Sequence, residues 1–395
     1  MHLGEPANET SLKDQGQKKG FYKRDFGIQE WDWPQGVGLY GLLSVMKKTG
    51  STAYVDFLER WFEDNLKRGL PSRNINTTAP LLTLAELLAD RNREAEKIKL
   101  STETGIQSTQ PRMPGEDSQT EIKEKDAAEE TENTEKWKAY ERLCTDWAEW
   151  LMKELPRTEE GGFQHVTSSV TGDRNAVTLN EQELWIDTLF MAVLFLDKMG
   201  QICGRQDWTA EAEYQVLTHI RYLWDPKSGL FYHGWTFKER NNFGGVFWCR
   251  GNSWFTLGIP ELIEMYGGKM EKSLERHILA VFRAQVSKLK ELQAEDGMWH
   301  TVLDDDTSYT ETSGSAAIAA GMLKGVRLGI LGEEYRTCAR RAISGIMNQI
   351  LPDGTVLKVS GGTRIGMDAQ HYRDIFLAPM AYGQSLTIMA LSEAL

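Results

Sequence analysis

The chain has no unbroken apolar run of the roughly 18 residues that a membrane-spanning helix needs. Its N-terminus is polar and rich in Gly and Lys, with no apolar stretch of the kind a signal peptide carries, although a secreted chain already cleaved would read the same. Cysteine is sparse, at four in 395 residues. Cys144, Cys203, Cys249 and Cys338 stand far apart without a Cys-x-x-Cys pair, a spacing that fits neither a zinc site nor a disulfide framework. Free buried thiols suit a reducing compartment, so a cytoplasmic location is expected. Positive charge is also short: 45 Lys and Arg face 57 Asp and Glu, for a net charge of −12. No basic stripe is present, which argues against nucleic acid as a partner. Half of the negative excess is local, since residues 101–136 hold ten acids against four bases.

What the chain does have is apolar residues, 41% of the total, and 13 tryptophans. That is enough for a sizeable core. Tryptophan also lines sugar-binding clefts, though large helical proteins use it as packing. Residues 91–136 interrupt the apolar pattern with Glu, Lys, Thr, Ser and Gln and almost no aromatics. This composition predicts a disordered or poorly packed surface insertion, with helical stretches at its start and end. Residues 1–20 are expected to fray.

A repeat organises the rest. Glu160-Gly161-Gly162-Phe163-Gln164-His165 resembles Ser228-Gly229-Leu230-Phe231-Tyr232-His233. Both resemble Asp296-Gly297-Met298-Trp299-His300, and Asp353-Gly354-Thr355-Val356 is a weaker fourth copy. Each copy follows a polar amphipathic helix and precedes one rich in apolar and small residues. Those are the properties of an outer and an inner helix. The period of about 55–70 residues is two helices and a long loop. With the hairpins of residues 33–67 and 77–141 the count reaches six, so the fold expected is all-α: a single (α/α)6 barrel of six helical hairpins over residues 1–395. The loops before the inner helices then share one face.

Candidate functional residues gather on that face. Asp187, in Trp185-Ile186-Asp187-Thr188-Leu189-Phe190-Met191, lies in an apolar run over residues 184–196 that reads as a buried helix. An ionised Asp is costly there without partners. It either hydrogen-bonds a neighbouring helix end, the commoner case, or serves as an acid whose pKa is raised by the apolar walls. Spacing alone does not choose. In Trp248-Cys249-Arg250-Gly251-Asn252-Ser253-Trp254, Arg250 suits bidentate carboxylate recognition or a structural ion pair, and Trp248 and Trp254 suit stacking. His233 follows one of the repeated turns. Because His165 and His300 stand at similar places, at least one of the three is structural. Asp32 and Pro34, in Trp31-Asp32-Trp33-Pro34-Gln35-Gly36-Val37-Gly38, and Asn74-Ile75-Asn76-Thr77-Thr78-Ala79-Pro80 read as helix starts. The segment Gly361-Gly362-Thr363-Arg364-Ile365-Gly366 follows no βαβ pattern and reads as a rim loop.

Taken together, the Trp33–Gly38 motif, the Asp187 motif, Tyr232-His233-Gly234-Trp235, the Arg250 loop, and Asp296–His300 with Glu311 and Ser313-Gly314-Ser315 resemble the unsaturated uronyl hydrolases of glycoside hydrolase families 88 and 105. The likeness is greatest to the rhamnogalacturonyl hydrolases of family 105. It covers the chain from about residue 21 onward, outside the insertion. The resemblance implies an (α/α)6 barrel acting on oligosaccharides that end in a 4,5-unsaturated uronic acid. It implies that Asp187 protonates C4 of the C4=C5 vinyl ether and then takes a proton from the water that attacks C5. Arg250 and His233 would hold the carboxylate or the water, while Trp33, Trp248 and Trp254 would stack on sugars. No metal or redox cofactor is implied. Asn76 stands where members of these families often place a second aspartate, and is expected as a substrate contact. Three alternatives remain at this stage: a glucuronyl hydrolase of glycosaminoglycan fragments, a sugar epimerase, and a non-catalytic sugar-binding protein on the same barrel. The partners expected are an oligosaccharide substrate, no nucleic acid and no membrane, with the chain a monomer or weak oligomer.

Overall fold

The computed structural model describes residues 27–103, 119–169 and 173–395. In chain order its helices begin with α1 (Trp33–Thr49), α2 (Val55–Arg68), the short α3 (Ile75–Thr78), α4 (Pro80–Glu103) and α5 (Gln119–Lys153). Strands β1 (Val166–Ser168), β2 (Val177–Leu179) and β3 (Glu183–Trp185) precede a π-helical turn, Leu189–Val193, that runs into α6 (Leu194–Cys203). Then come α7 (Gln206–Leu223), β4 (Gly234–Thr236), α8 (Cys249–Tyr266), α9 (Lys272–Glu291), β5 (Trp299–His300) and β6 (Thr310–Glu311). The chain closes with α10 (Thr312–Arg327), α11 (Glu333–Met347), β7 (Val359–Ser360), α12 (Ala369–Arg373), β8 (Leu377–Ala378) and α13 (Ala381–Ala394).

Six of these helices form a closed ring, each packed on the next: α1, α4, α6, α8, α10, α13 and back to α1. Outer helices pack behind them, as α7 does on α6, α9 on α8 and α11 on α10. The composition explains the division. In α10 every residue from Thr312 to Val326 is buried, as an inner helix contacted on all sides requires. In α2 only Leu58, Trp61, Phe62 and Asn65 are buried, which is one stripe of an amphipathic helix. Each fully buried Leu or Phe contributes about 1.5–3 kcal/mol relative to exposure. The arrangement is an (α/α)6 barrel.

The repeat seen in the sequence is a turn. Gly161, Gly229, Gly297 and Gly354 have φ of 76°, 80°, 85° and 88°, the left-handed region that a Cβ disfavours. Two residues later comes a fully buried side chain: Phe163, Phe231, Trp299 or Val356. The backbone N–H of that residue donates to a polar side chain. The acceptor is Gln215 Oε1 on α7 for Phe163, Asn252 Oδ1 on α8 for Phe231, Ser315 Oγ on α10 for Trp299 and Gln384 Oε1 on α13 for Val356. Each turn is thereby tied to the barrel, and the segments beyond it run to one mouth.

The apolar run over residues 184–196 departs from the expected helix. Leu184 and Trp185 belong to β3, which pairs antiparallel with β4 in the register Leu184 with Trp235. Helical structure begins only at Thr188. A short apolar run is equally compatible with a buried strand, and here the β4 partner decides. Asp187 therefore lies at the turn between strand and helix. Residues 91–103 and 119–136 of the proposed insertion lie in α4 and α5; residues 104–118 and the tail 1–20 fall outside the described residues. Asp32 caps α1, with Pro in the first turn, and Asn74 caps α3 in a reciprocal capping box. Among the described residues the four cysteines are free, with Cys144, Cys249 and Cys338 buried and Cys203 exposed, the last against the expectation of burial. No helix among them is long and apolar enough to cross a membrane.

Ion pairs, some of them buried, join the inner helices at the far end of the ring. Glu86 on α4 takes Lys198 of α6 and Lys47 of α1, and Lys324 of α10 takes Glu261 and Glu264 of α8. Close packing joins α8 and α10 above them: a Cβ on Gly321 would lie 2.1 Å from the Thr256 carbonyl oxygen. Gly321→Ala should therefore destabilise the fold by about 1–3 kcal/mol, read as a lower urea midpoint at unchanged slope. An unchanged midpoint would show that the two helices can separate freely.

Candidate active site

The barrel mouth holds a cleft, and Asp187 sits on its wall together with Trp33, Asn76, Trp248 and Arg250. Five of the seven residues singled out in the sequence thus share one cleft. The other two, His233 and Trp254, do not line it; both are buried behind Asp187. Trp254 Nε1 donates to Asp187 Oδ1 at 3.0 Å. His233 Nε2 lies 3.4 Å from Asp187 Oδ2, and neither of these two buried atoms has a hydrogen-bond partner elsewhere. The Asp187 side chain keeps one-fifth of its surface exposed, enough to reach a bound molecule.

This environment corrects the electrostatic expectation. Burial does push the Asp187 carboxyl upward, but its contact with the His233 ring, then the His165 ring and the Arg250 guanidinium, outweigh it. The carboxyl lies below the usual aspartate range, so apolar walls alone do not keep a proton on it. Burial pushes His233 itself below the usual imidazole range despite the neighbouring carboxylate. His165 is pushed down to about 3, again by burial first. Its Nδ1 lies 2.8 Å from Thr188 Oγ1 and its ring stacks on Trp185 at 4.4 Å. Of the three repeated histidines, His165 and His233 converge on Asp187. His300 donates from Nδ1 to the Ser308 carbonyl and is structural.

Among the described residues Arg250 pairs with no carboxylate. Its Nη1 donates to Ser313 Oγ at 3.1 Å, to the Ser360 carbonyl at 2.7 Å and to Ser360 Oγ at 2.5 Å, and its Nη2 donates to the Gly361 carbonyl at 2.8 Å. Its guanidinium lies over the rings of Trp248 and Tyr382, at 4.5 and 4.8 Å from their centroids. A buried cation satisfied by neutral oxygens keeps its field for an incoming anion. Asn76 offers its side chain from the first turn of α3, while its backbone N–H binds the Asn74 cap.

The sequence reading missed part of the wall. Thr167, Ser168 and Thr178 of the β1–β2 hairpin and Asn180 line the cleft, as do Thr363 and Arg364 of the rim loop. Short polar loop residues carry no periodicity, so only the Gly361–Gly366 run flagged this side. The tryptophans divide by role. Trp33, Trp185 and Trp248 line the cleft, whereas Trp31 stacks on Trp61 at 5.2 Å inside the core. Among the described residues no group of three or more His, Cys, Asp or Glu is placed to hold a metal ion.

Comparison with known proteins places the chain in a family. The model of Glycosyl Hydrolase Family 88 matches residues 13–126 and 127–395. The unsaturated rhamnogalacturonyl hydrolase YesR of Bacillus subtilis (strain 168) is 28% identical over 387 residues, covering 98% of this chain and 94% of that protein. A crystal structure from Klebsiella pneumoniae, described as a possible member of the GH105 family, superposes with a TM-score of 0.76 at 37% identity, covering 93% of this chain and 83% of that one. The unsaturated glucuronyl hydrolase of Bacillus sp. GL1 shares the fold, with a TM-score of 0.57 at 19% identity over 91% of this chain and 85% of that one.

His165 yields a prediction about stability. Its neutral ring contributes stability in full above the unfolded value near 6.5 and loses it as pH falls toward its folded value of about 3. In His165→Gln the unfolding free energy should depend on pH less steeply between about pH 4 and 6, by roughly 1.4 kcal/mol per pH unit. Denaturant titrations at several pH values read the slope, and an unchanged slope would mean that His165 titrates normally.

Proposed function

Because the chain belongs to Glycosyl Hydrolase Family 88, and so is a glycosidase, we propose that it is an unsaturated rhamnogalacturonyl hydrolase. It removes a 4,5-unsaturated galacturonyl residue from the non-reducing end of rhamnogalacturonan oligosaccharides made by a lyase. The likeness to the Bacillus subtilis rhamnogalacturonyl hydrolase over nearly the whole of both chains supports this substrate. The observation that carries the chemistry is Asp187, a cleft carboxylate with an aromatic ring nitrogen set against each oxygen. The other acidic side chain on the cleft wall, Asp32, is engaged as the cap of α1.

The reaction follows from these groups. The uronate brings its own carboxylate into the cleft, toward Arg250. A like charge beside Asp187 raises the pKa of its carboxyl and loads it with a proton. Asp187 gives this proton to C4, and positive charge develops at C5 and the ring oxygen. The Asp187 carboxylate, held by Trp254 and His233, faces that charge and stabilises it. Water then adds at C5 and yields its proton to Asp187, which is thereby restored. The hemiketal so formed opens the ring and releases the partner sugar. Trp33 and Trp248 offer apolar faces to the sugars. Asn76 and the hydroxyls of the β1–β2 hairpin offer neutral hydrogen bonds, which suit sugar hydroxyls.

Asp187→Asn should retain binding and lose turnover by roughly 10²–10⁴-fold or more, followed as loss of the ultraviolet absorbance of the conjugated double bond. Turnover retained in that variant would remove Asp187 from the mechanism. Activity of the wild type only on unsaturated chondroitin disaccharides would replace rhamnogalacturonan by glycosaminoglycan as the substrate.

Trp254→Phe keeps a ring but deletes the N–H that stabilises the ionised carboxyl. The pKa of Asp187 should rise, and the alkaline limb of kcat/KM, where the acid is lost, should move to higher pH. A limb that stays in place or moves down would contradict the assignment of that limb to Asp187.

A further inference from the structure

We infer that Tyr372 is a positioning residue, whose hydroxyl fixes His233 in the tautomer that carries its proton on Nε2, facing Asp187. Tyr372 is buried on α12, 139 positions from His233 in sequence, with its ring 5.7 Å from that of Trp248. Among the described residues its oxygen has two polar neighbours, the Gly366 backbone nitrogen at 3.0 Å and His233 Nδ1 at 2.9 Å. A peptide N–H can only donate, so the phenol oxygen accepts from Gly366. The single phenol hydrogen then has one acceptor within reach, Nδ1. An imidazole that accepts at Nδ1 carries its proton on Nε2.

The other side of the ring requires the same tautomer. His233 Nε2 faces Asp187 Oδ2 at 3.4 Å. The opposite tautomer would set two lone pairs against each other and leave a buried hydroxyl hydrogen without an acceptor, which is costly. Burial keeps the Tyr372 phenol protonated, well above its usual range, so it remains a donor.

The consequence for the reaction rests on the function proposed above. A fixed Nε2–H makes His233 a donor to Asp187 and denies it the part of a base at that atom. Both proton transfers therefore stay with Asp187. The same hydroxyl ties Gly366, and with it the rim loop carrying Thr363 and Arg364, to the acid across the cleft. Space for that contact is tight, because a Cβ on Gly366 would lie 2.4 Å from the His371 ring.

The assignment is tested on the full-length protein labelled with 15N-histidine. His233 is identified among the seven histidines by its loss in His233→Gln. The wild type should show a pyridine-type Nδ1 and a pyrrole-type Nε2 at His233. Tyr372→Phe, which keeps the ring packed on Trp248, should mix or reverse that pattern. A wild-type His233 protonated on Nδ1, or a pattern untouched by Tyr372→Phe, would overturn the proposal. This readout needs no substrate, so it stands or falls apart from the assigned reaction.

Kinetics on the unsaturated oligosaccharide then separate positioning from packing. Tyr372→Phe should lower kcat about tenfold while KM stays within about twofold. In a His233→Gln background the same change should cost less than about twofold, because the group it acts through is gone. Equal losses in both backgrounds would overturn the positioning role. A tautomer shift as expected in a protein inactive on the oligosaccharide would remove the proposed substrate and leave the tautomer assignment intact.

Discussion

A carboxylate packed against aromatic rings is unstable unless something nearby answers its charge. For Asp187 the answer is a pair of aromatic N–H groups, Trp254 Nε1 at 3.0 Å and His233 Nε2 at 3.4 Å. Much of the barrel mouth serves to hold that pair. Trp254 stands on α8 and His233 just before β4, and β4 pairs with the strand that delivers Asp187. The register of one two-stranded ladder thus sets the distance between the acid and its partner. The outcome is a carboxyl that is ionised when the cleft is free of anions. In the reaction proposed here, a substrate carboxylate would raise the proton affinity of Asp187 by its own charge. An acid poised in this way responds to the charged sugar more than to a neutral one.

The barrel makes such a site possible by repetition. Each turn is bent at a left-handed glycine, buries the side chain two residues later, and is fixed by a polar side chain on a neighbouring helix. The rigid ring supports segments that come from distant parts of the sequence. Arg250 is the clearest case, since it binds the Ser360 and Gly361 carbonyls 110 and 111 positions away. It joins α8 to the last loop while leaving its charge without a carboxylate partner. The ion pairs at the opposite end join α1 and α6 to α4, and α8 to α10. There Lys47 and Lys324 lie in the last turns of α1 and α10, where cations oppose the negative helix ends.

Glycine turns and helical amphipathicity are local properties, so the repeat and the division into inner and outer helices were legible in the sequence. The prominence of Asp187 was legible for the same reason, because an acid in an apolar run stands out. Its surroundings were not. The apolar run over residues 184–196 reads as one buried helix, and only the distant β4 makes its first two residues a strand; the direction of the Asp187 pKa depends on His233, 46 positions on. The cleft wall built by Thr167, Thr178 and Asn180 gives no periodic signal, since short polar residues in loops look alike whether or not they face a ligand. Tyr372 was silent because the histidine its hydroxyl meets lies 139 positions away in sequence. Trp254 was noticed for its ring, whereas the structure uses its N–H.

In the reaction proposed here the glycosidic bond is broken indirectly, through protonation at C4 of the unsaturated sugar. Turnover in heavy water tests it most directly, with the released sugar, the double-bond absorbance and deuterium at C4 followed together. The account predicts that absorbance is lost at least as fast as the partner sugar appears, and that a single deuterium enters C4 on one face. Release of the partner sugar ahead of the absorbance loss, with deuterium then entering both faces, would show displacement at the anomeric carbon and contradict the account.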